Sequence, residues 1–180
     1  MKRFFIILSD LVRIFLLLLK RNKSIAYGSC LKESNNILVL CSKEMDITNN
    51  SIIDQISRLF KKTPLTVLHY SNQKKHNNST VINYISIPQT TNSFLPLLHQ
   101  YSVLPTLETH HYDTVLDLDP DFNLFHLCLC VHLKPSLRIG FQESHMNRVY
   151  NLLYKTSTEN GQEKKLTGLI KFLNNIISIQ

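Results

Sequence analysis

YDTVLDLDPDFNLFHLCLCVHLKPSLRIGF, spanning Tyr112–Phe141, is the stretch of this chain that decides the fold. Its first part is rich in β-branched and apolar residues and predicts a buried strand, which Asp119-Pro120-Asp121 ends. Residues 122–133 are apolar nearly all round, which indicates a buried helix stopped by a Lys-Pro pair. Residues 137–141 predict a second strand. A strand, a crossover helix and a strand form a βαβ unit, which implies a parallel sheet.

The other apolar runs extend this pattern into one domain. Further strands are predicted at 36–41, 65–69 and 81–87, and helices at 51–60, 93–103 and 162–177. The fold class is therefore α/β: a single Rossmann-like domain over residues 36–180, with a mostly parallel sheet of about five strands. In such sheets ligands bind at the carboxyl ends of the strands.

The length, net charge and cysteine content of the chain limit the classes of protein to which it can belong. A chain of 180 residues fits one globular domain with a short appendage. Its formal net charge of +7 suits an anionic membrane surface or a phosphate-bearing ligand. We expect no nucleic-acid partner, because the basic residues are scattered and no recognised binding motif occurs. The four cysteines do not form a disulfide framework in a chain this long, so reduced thiols are expected.

Residues 1–23 predict an amphipathic helix. The apolar stretch Phe4–Leu19 contains Asp10 and Arg13, and it is shorter than the roughly 20 apolar residues of a spanning helix. It also lacks a small-residue cleavage site before its basic end, unlike a signal peptide. We predict a peripheral helix on the cytoplasmic side of the inner membrane, with Asp10 and Arg13 on its polar side. A single-span anchor and a helix packed on the domain's own core are the alternatives. Residues 24–35 are predicted to form a linker.

Carboxylates near strand ends are the candidates for chemistry. Asp117 is predicted to lie at the carboxyl end of a strand, where it is well placed to face a ligand. Asp117-Leu118-Asp119 formally matches a metal-binding Asp-x-Asp pair, but Asp119-Pro120-Asp121 is also typical of a turn and a helix start. Asp46 follows the first strand and is a candidate general base, with a solvated loop acid as the alternative.

Other site types find little support in the sequence. No glycine-rich phosphate loop and no zinc-ligand spacing occurs, so we expect neither a cofactor nor a metal site. His126 and His132 lie on or near the apolar helix and are expected to be core or interface residues.

Residues 112–141 resemble a passage of the family 9 glycosyltransferases, the ADP-heptose:lipopolysaccharide heptosyltransferases and their relatives. The likeness rests on Tyr112-Asp113 at the start of a strand, on the apolar helix, and on Arg138-Ile139-Gly140-Phe141. Residues 36–56 resemble that family's opening strand, loop and helix, and the likeness extends over about 36–177.

The resemblance implies one half of a two-domain GT-B fold, in which the N-terminal domain holds the acceptor. It makes Asp46 the candidate catalytic base, although the glycine that precedes the family's aspartate is Met45 here. Asp117 and Arg138 become candidates for substrate binding, Arg138 for a phosphate. The function expected is a bacterial glycosyltransferase-like role in envelope polysaccharide or lipopolysaccharide assembly, on a sugar or lipid-headgroup acceptor.

The half of the GT-B fold that binds the sugar donor is expected to be missing from this chain. A lone domain cannot enclose a nucleotide sugar, so autonomous enzyme activity is not expected without a partner chain that supplies a second domain. The alternative is a noncatalytic membrane-associated interaction domain on a degenerate glycosyltransferase scaffold.

Overall fold

The computed structural model describes residues 2–19, 27–45, 51–61, 63–70, 82–87, 96–142, 148–156 and 161–178. The strands are β1 (Ile37–Leu40), β2 (Leu65–His69), β3 (Ile82–Ser86), β4 (Thr114–Asp117), β5 (Leu137–Phe141) and β6 (Leu152–Tyr154). The helices are α1 (Lys2–Leu19), α2 (Tyr27–Lys32), α3 (Ser51–Leu59), α4 (Pro96–Gln100), α5 (Leu104–Leu107), α6 (Leu124–His132) and α7 (Gln162–Ser178). A 3-10 turn at Tyr101–Val103 joins α4 to α5.

The strands form one sheet in the order β3-β2-β1-β4-β5-β6, and every described pairing is parallel. This confirms the predicted α/β class and the single Rossmann-like domain. The sheet has six strands instead of about five, because β6 was not predicted from its sequence. β1 pairs with both β2 and β4, and Leu40 at its end is in register with Asp117. The sheet therefore grows outward from β1 in two directions.

Alternation along the central strand supplies both faces of the sheet with apolar side chains. Leu38 and Leu40 point into the apolar cluster formed with α1 and α6, whereas Ile37 and Val39 join the cluster formed with α3 and α7. All four residues are fully buried. Burial on both faces explains why these strands appear in the sequence as continuous apolar runs.

The helix predicted at 122–133 is confirmed as α6, with clear signals at both ends. Asn123 caps its start, where the Asn123 side chain accepts a hydrogen bond from the His126 backbone N–H at 3.3 Å. The helix ends at His132, and Lys134 then adopts a left-handed conformation with φ of 51°. A lysine in this conformation is under local strain of about 1–2 kcal/mol. Pro135 prevents the helix from continuing.

One face of α1 packs on the domain, against α6 and α4. Ile7 and Ile14 are buried there, and Asp10 is completely buried between them. The Asp10 carboxylate accepts hydrogen bonds from the Tyr101 hydroxyl at 3.0 Å and from His132 Nδ1 at 3.0 Å. The predicted placement of Asp10 on a solvent-facing polar side was therefore wrong. The alternative, packing on the domain's own core, describes this face of the helix.

The opposite face of α1 is apolar and exposed. Large apolar side chains that are 37% to 65% exposed cover it: Phe4, Phe5, Leu8, Leu11, Val12, Phe15 and Leu16. Seven such side chains on one helix face form a contiguous patch of the kind that marks an interaction site. We call this patch the outer face of α1.

The segment predicted as a linker contains structure that the sequence did not reveal. The short helix α2 buries Leu31, which is 1% exposed, against the α7 side of the sheet. Ser34 and Thr114 share a hydrogen bond of 2.7 Å between their hydroxyls, which ties the segment to β4. The polar composition of 24–35 hid these two attachments.

His132 links α1 to the rest of the domain in a pH-dependent way. Its Nδ1 lies 3.0 Å from Asp10 Oδ2, and its Nε2 lies 2.8 Å from Glu108 Oε1. The hydrogen bond to Asp10 raises the pKa of His132, with a further contribution from Glu108, and partial burial opposes them. Only the imidazolium form donates through both ring nitrogens, so protonation of His132 strengthens the attachment of α1.

We therefore expect the free energy of unfolding to fall as His132 loses its proton. The contribution is complete below about pH 6.5, the ordinary histidine value, and is lost as the pH rises through the raised pKa. Urea unfolding at about pH 6 and about pH 8.5 should show a larger loss for the wild type than for His132→Gln. His99→Gln, which changes an exposed histidine of α4, is the control and should behave as the wild type. Equal pH dependence in wild type and His132→Gln would contradict this assignment.

Candidate functional site

A cleft of about 530 Å³ lies at the carboxyl ends of β1 and β4. This is the switch point of the sheet, because the strands that follow β1 in sequence add to one side of it and β4 begins the other. Open parallel sheets bind ligands at this position. The walls come from residues 42–44 after β1, residues 119–125 after β4, and residues of α4 and α7. Gln162 at the start of α7 donates to Ser42 Oγ at 2.7 Å and closes one side.

The lining of the cleft combines polar side chains with apolar ones, and the latter include the rings of Phe122 and Phe125. Glu44, Asp119 and Asp121 contribute carboxylates, and Lys43 contributes the cation. Phe122 is 49% exposed, so one large apolar ring remains available to a ligand. Among the described residues of the lining, carboxylates outnumber cations, which disfavours a polyphosphate and favours a ligand that donates hydrogen bonds.

Asp119 is the carboxylate most tightly built into this lining. Its Oδ2 accepts a hydrogen bond from Asn123 Nδ2 at 3.0 Å, and its Oδ1 accepts one from the Asp121 backbone N–H at 3.2 Å. Burial raises the pKa of Asp119, and the hydrogen bond from Asn123 partly opposes the shift. A half-buried carboxylate with a raised pKa is chemically suited to accept a proton from a ligand hydroxyl.

Asp117 lies beneath the cleft and not in its lining. The residue is 2% exposed, and its carboxylate is surrounded by donors. His126 Nδ1 lies 2.9 Å from Oδ1, the Asp119 backbone N–H donates to Oδ1 at 3.0 Å, and the Tyr150 hydroxyl donates to Oδ2. A buried carboxylate with three donors holds β4, α6 and the segment before β6 together.

The network continues from Asp117 to the cleft wall. His126 Nε2 lies 3.4 Å from the Tyr70 hydroxyl, whose oxygen accepts from Asn123 Nδ2 at 3.2 Å. Burial raises the pKa of Tyr70 to about 12, so its hydroxyl keeps its proton and can donate to His126. His126 Nδ1 is the donor to Asp117, because a carboxylate oxygen only accepts. Asn123 thus couples the buried network to the cleft carboxylate Asp119.

The site residues predicted from the sequence have separate positions. Asp46 lies outside the described residues. Asp117 lies below the cleft, so its contact with a ligand stays a prediction. Arg138 is the second residue of β5 and lines a different cavity, on the α1 side of the sheet. The structure does not bring Asp117 and Arg138 into one pocket.

Sequence reasoning missed the residues that line the cleft. Asp119 was interpreted mainly as part of a turn, and Asn123 and Phe122 were not singled out. The available signal was position, because all three follow β4 directly and therefore reach the carboxyl edge of the sheet. The expectation that His126 and His132 are core or interface residues is confirmed by their contacts with Asp117 and Asp10.

Among the residues that the structure describes, no group of three or more His, Cys, Asp or Glu side chains is placed to hold a metal ion. Within the same residues, no helix has both the length and the hydropathy that a membrane span requires. Comparison with protein-family models, curated proteins and solved structures gives no match.

Proposed function

We propose that this chain is a peripheral membrane protein whose cleft binds a sugar or another polyhydroxylated headgroup. The observation that carries the proposal is the cleft at the switch point, where the exposed Phe122 stands beside Asp119 and Asp121. Carboxylate oxygens accept hydrogen bonds from sugar hydroxyls, and an exposed aromatic ring covers the apolar face of a sugar ring. Lys43 adds one donor to the same cleft.

Sugar binding should depend on Phe122. We expect Phe122→Ala to weaken binding about fivefold, which corresponds to the loss of about 1 kcal/mol from one aromatic contact. Titration calorimetry with a set of free hexoses and heptoses measures this. Phe4→Ala is the matched control, because Phe4 is similarly exposed, at 58%, but lies on α1 away from the cleft. Absence of saturable binding by the wild type, or an equal loss in both variants, would contradict the proposal.

The outer face of α1 supports the membrane part of the proposal. The buried Asp10 holds the inner face of α1 against the domain. The exposed apolar side chains of the outer face therefore cannot turn toward the domain. In the sequence, basic residues stand before and after this face, at Lys2, Arg3, Lys20, Arg21 and Lys23. Cations around an apolar helix face are the pattern of a helix that lies in the headgroup region of an anionic leaflet. We place the protein on the cytoplasmic side of the inner membrane.

The resemblance of residues 112–141 to family 9 glycosyltransferases extends this proposal. In that case the sugar in the cleft is the acceptor, and a separate chain supplies the domain that binds the nucleotide sugar. Asp119 then joins Asp46 as a candidate general base, since it lines the cleft and burial raises its pKa. The protein would act in the assembly of envelope polysaccharide or lipopolysaccharide.

A second candidate function is a noncatalytic membrane-associated interaction domain. The observation that favours it is the saturation of Asp117, whose oxygens already accept from His126, Tyr150 and the Asp119 backbone. A carboxylate held in this way supports the fold instead of reacting. Retained sugar binding without any nucleotide-sugar binding, even with the partner chain present, would favour this candidate over the glycosyltransferase-like one.

A further inference from the structure

A second cavity, of about 290 Å³, lies between α1 and the end of α6. Its lining residues come from these two helices and from β5: Arg13, Leu16, Leu17, Val131, Lys134 and Arg138. The start of α6 borders the cleft described above, whereas the end of α6 borders this cavity. The two sites are therefore at opposite ends of one helix.

Three cations converge on this cavity with little to neutralise them. Within the described part of the chain, neither Lys134 nor Arg138 has a carboxylate partner. The Arg138 Nε is buried and finds no hydrogen-bond partner among the described residues. Arg13 contacts Asp10 at 3.3 Å, but Asp10 also serves His132 and Tyr101. A buried guanidinium donor without an acceptor is costly, so an anion that supplies one would be favoured.

The end of α6 opposes this charge only weakly. The carboxyl end of a helix carries about half a negative charge, and its effect fades within the last turn. Lys134 follows that end directly, held by its φ of 51°. Lys134 and Arg138, which have no carboxylate partner among the described residues, outweigh the partial negative charge of the helix end, so the cavity favours an anion. Burial lowers the pKa of Arg138.

The cavity also connects to the outer face of α1. Leu16 lines the cavity and is at the same time 49% exposed on the outer face. Leu17 and Val131 complete an apolar wall beside the three cations. Charged and apolar groups are thus arranged side by side, as a phosphate and an acyl chain are in a phospholipid. Pockets for whole small molecules start at about 300 Å³, so this cavity suits a headgroup phosphate with its nearest atoms.

We infer that the cavity lined by Arg13, Lys134 and Arg138 binds the phosphate of an anionic phospholipid, while the outer face of α1 lies among the acyl chains. The inference rests on the membrane part of the proposed function. Arginine and lysine are the side chains that bind phosphate, and the planar guanidinium of Arg138 suits two phosphate oxygens at once. The continuity through Leu16 favours a lipid over a free phosphate ion, because a free ion gains nothing from an apolar path.

The test compares vesicle binding by the full chain and by variants matched in charge. We expect Lys134→Gln/Arg138→Gln to weaken binding to phosphatidylglycerol-containing vesicles about 30-fold, since each cation near the surface contributes about 1 kcal/mol. Lys164→Gln/Lys171→Gln removes the same charge from exposed positions of α7, in the layer on the other side of the sheet. Charges more than about 10 Å from the membrane are largely screened, so we expect this control to weaken vesicle binding only slightly. Co-sedimentation with phosphatidylglycerol-containing vesicles measures the binding of both double variants.

Single variants keep the test decisive if the double variant does not fold. Lys134→Gln changes an exposed side chain and should weaken binding about fivefold, as the loss of about 1 kcal/mol requires. Arg138→Lys keeps the charge but loses the planar guanidinium, so it should bind more weakly than the wild type and more tightly than Arg138→Gln. Binding of Lys134→Gln at wild-type strength would overturn the inference.

Soluble competitors separate the two sources of phosphate. Inorganic phosphate and glycerol 3-phosphate should not saturate the protein in the absence of vesicles. If either does, in a manner lost in Lys134→Gln, the ligand is a free phosphate and the lipid assignment is overturned. If wild type and the double variant bind vesicles equally, the inference fails while the membrane proposal stands. If the wild type binds no vesicles at all, both fail, and sugar binding through Phe122 is judged separately.

Discussion

Replacing Asp117 with alanine is expected to destabilise the protein by about 4 kcal/mol. The substitution removes the carboxylate that accepts hydrogen bonds from His126 Nδ1, the Tyr150 hydroxyl and the Asp119 backbone N–H in a site that is almost fully buried. Each buried group left without a hydrogen bond costs about 1–3 kcal/mol, so the three together exceed the effect of most single substitutions. Urea unfolding followed by circular dichroism measures the loss.

Asp121→Ala is the control for this prediction. Asp121 is exposed and lies in the same segment, but its carboxylate has no part in the network around Asp117. Its replacement should change the free energy of unfolding by less than about 0.5 kcal/mol. A loss below about 1 kcal/mol for Asp117→Ala would mean that the network does not hold the sheet and α6 together.

Gly140→Ala is expected to have the second largest effect, a destabilisation of about 2 kcal/mol. A Cβ at this position would lie 2.8 Å from both the Cδ1 and the Cε1 atoms of the Tyr150 ring. The ring cannot move aside easily, because Tyr150 is 3% exposed and its hydroxyl is held by Asp117. The β5 backbone cannot shift either, since β4 and β6 pair with it on both sides.

Gly161→Ala provides the matched control for Gly140→Ala. A Cβ at Gly161 would meet no atom within 4 Å, so alanine should cost only the preference for glycine over alanine at the start of α7, about 0.5 kcal/mol. The effect of Gly140→Ala should also shrink in an Asp117→Ala background, where the Tyr150 hydroxyl no longer has its hydrogen bond to Asp117. If both glycine variants unfold at the same urea concentration, Tyr150 does not pack on β5 as described.

The sequence predicted the sheet because its signals are local. The βαβ pattern of residues 112–141 lies within one continuous stretch, and burial on both faces makes each central strand an apolar run. The strand β6 escaped detection because it has only three residues. The helix α2 escaped because a short, polar segment buries a single leucine, Leu31.

The candidate site was less predictable because its contacts are distant in sequence. The position of Asp117 at a strand end followed from the pattern, but its partner Tyr150 is 33 positions away, and Tyr70 is 56 positions from His126. Likewise, helical periodicity placed Asp10 among polar residues, whereas its partner Tyr101 lies 91 positions away and draws it into the core. No periodicity in the sequence reports such pairs.

The central claim, that the outer face of α1 enters a lipid surface, can be tested with one fluorescent side chain. The chain contains no tryptophan, so Phe15→Trp on the outer face creates a single reporter at a position that is 61% exposed. We predict that its emission shifts to shorter wavelength on addition of phosphatidylglycerol-containing vesicles. Phe122→Trp, at the cleft, should show no such shift. Emission of Phe15→Trp that stays at the wavelength of a water-exposed indole with saturating vesicles would contradict the account.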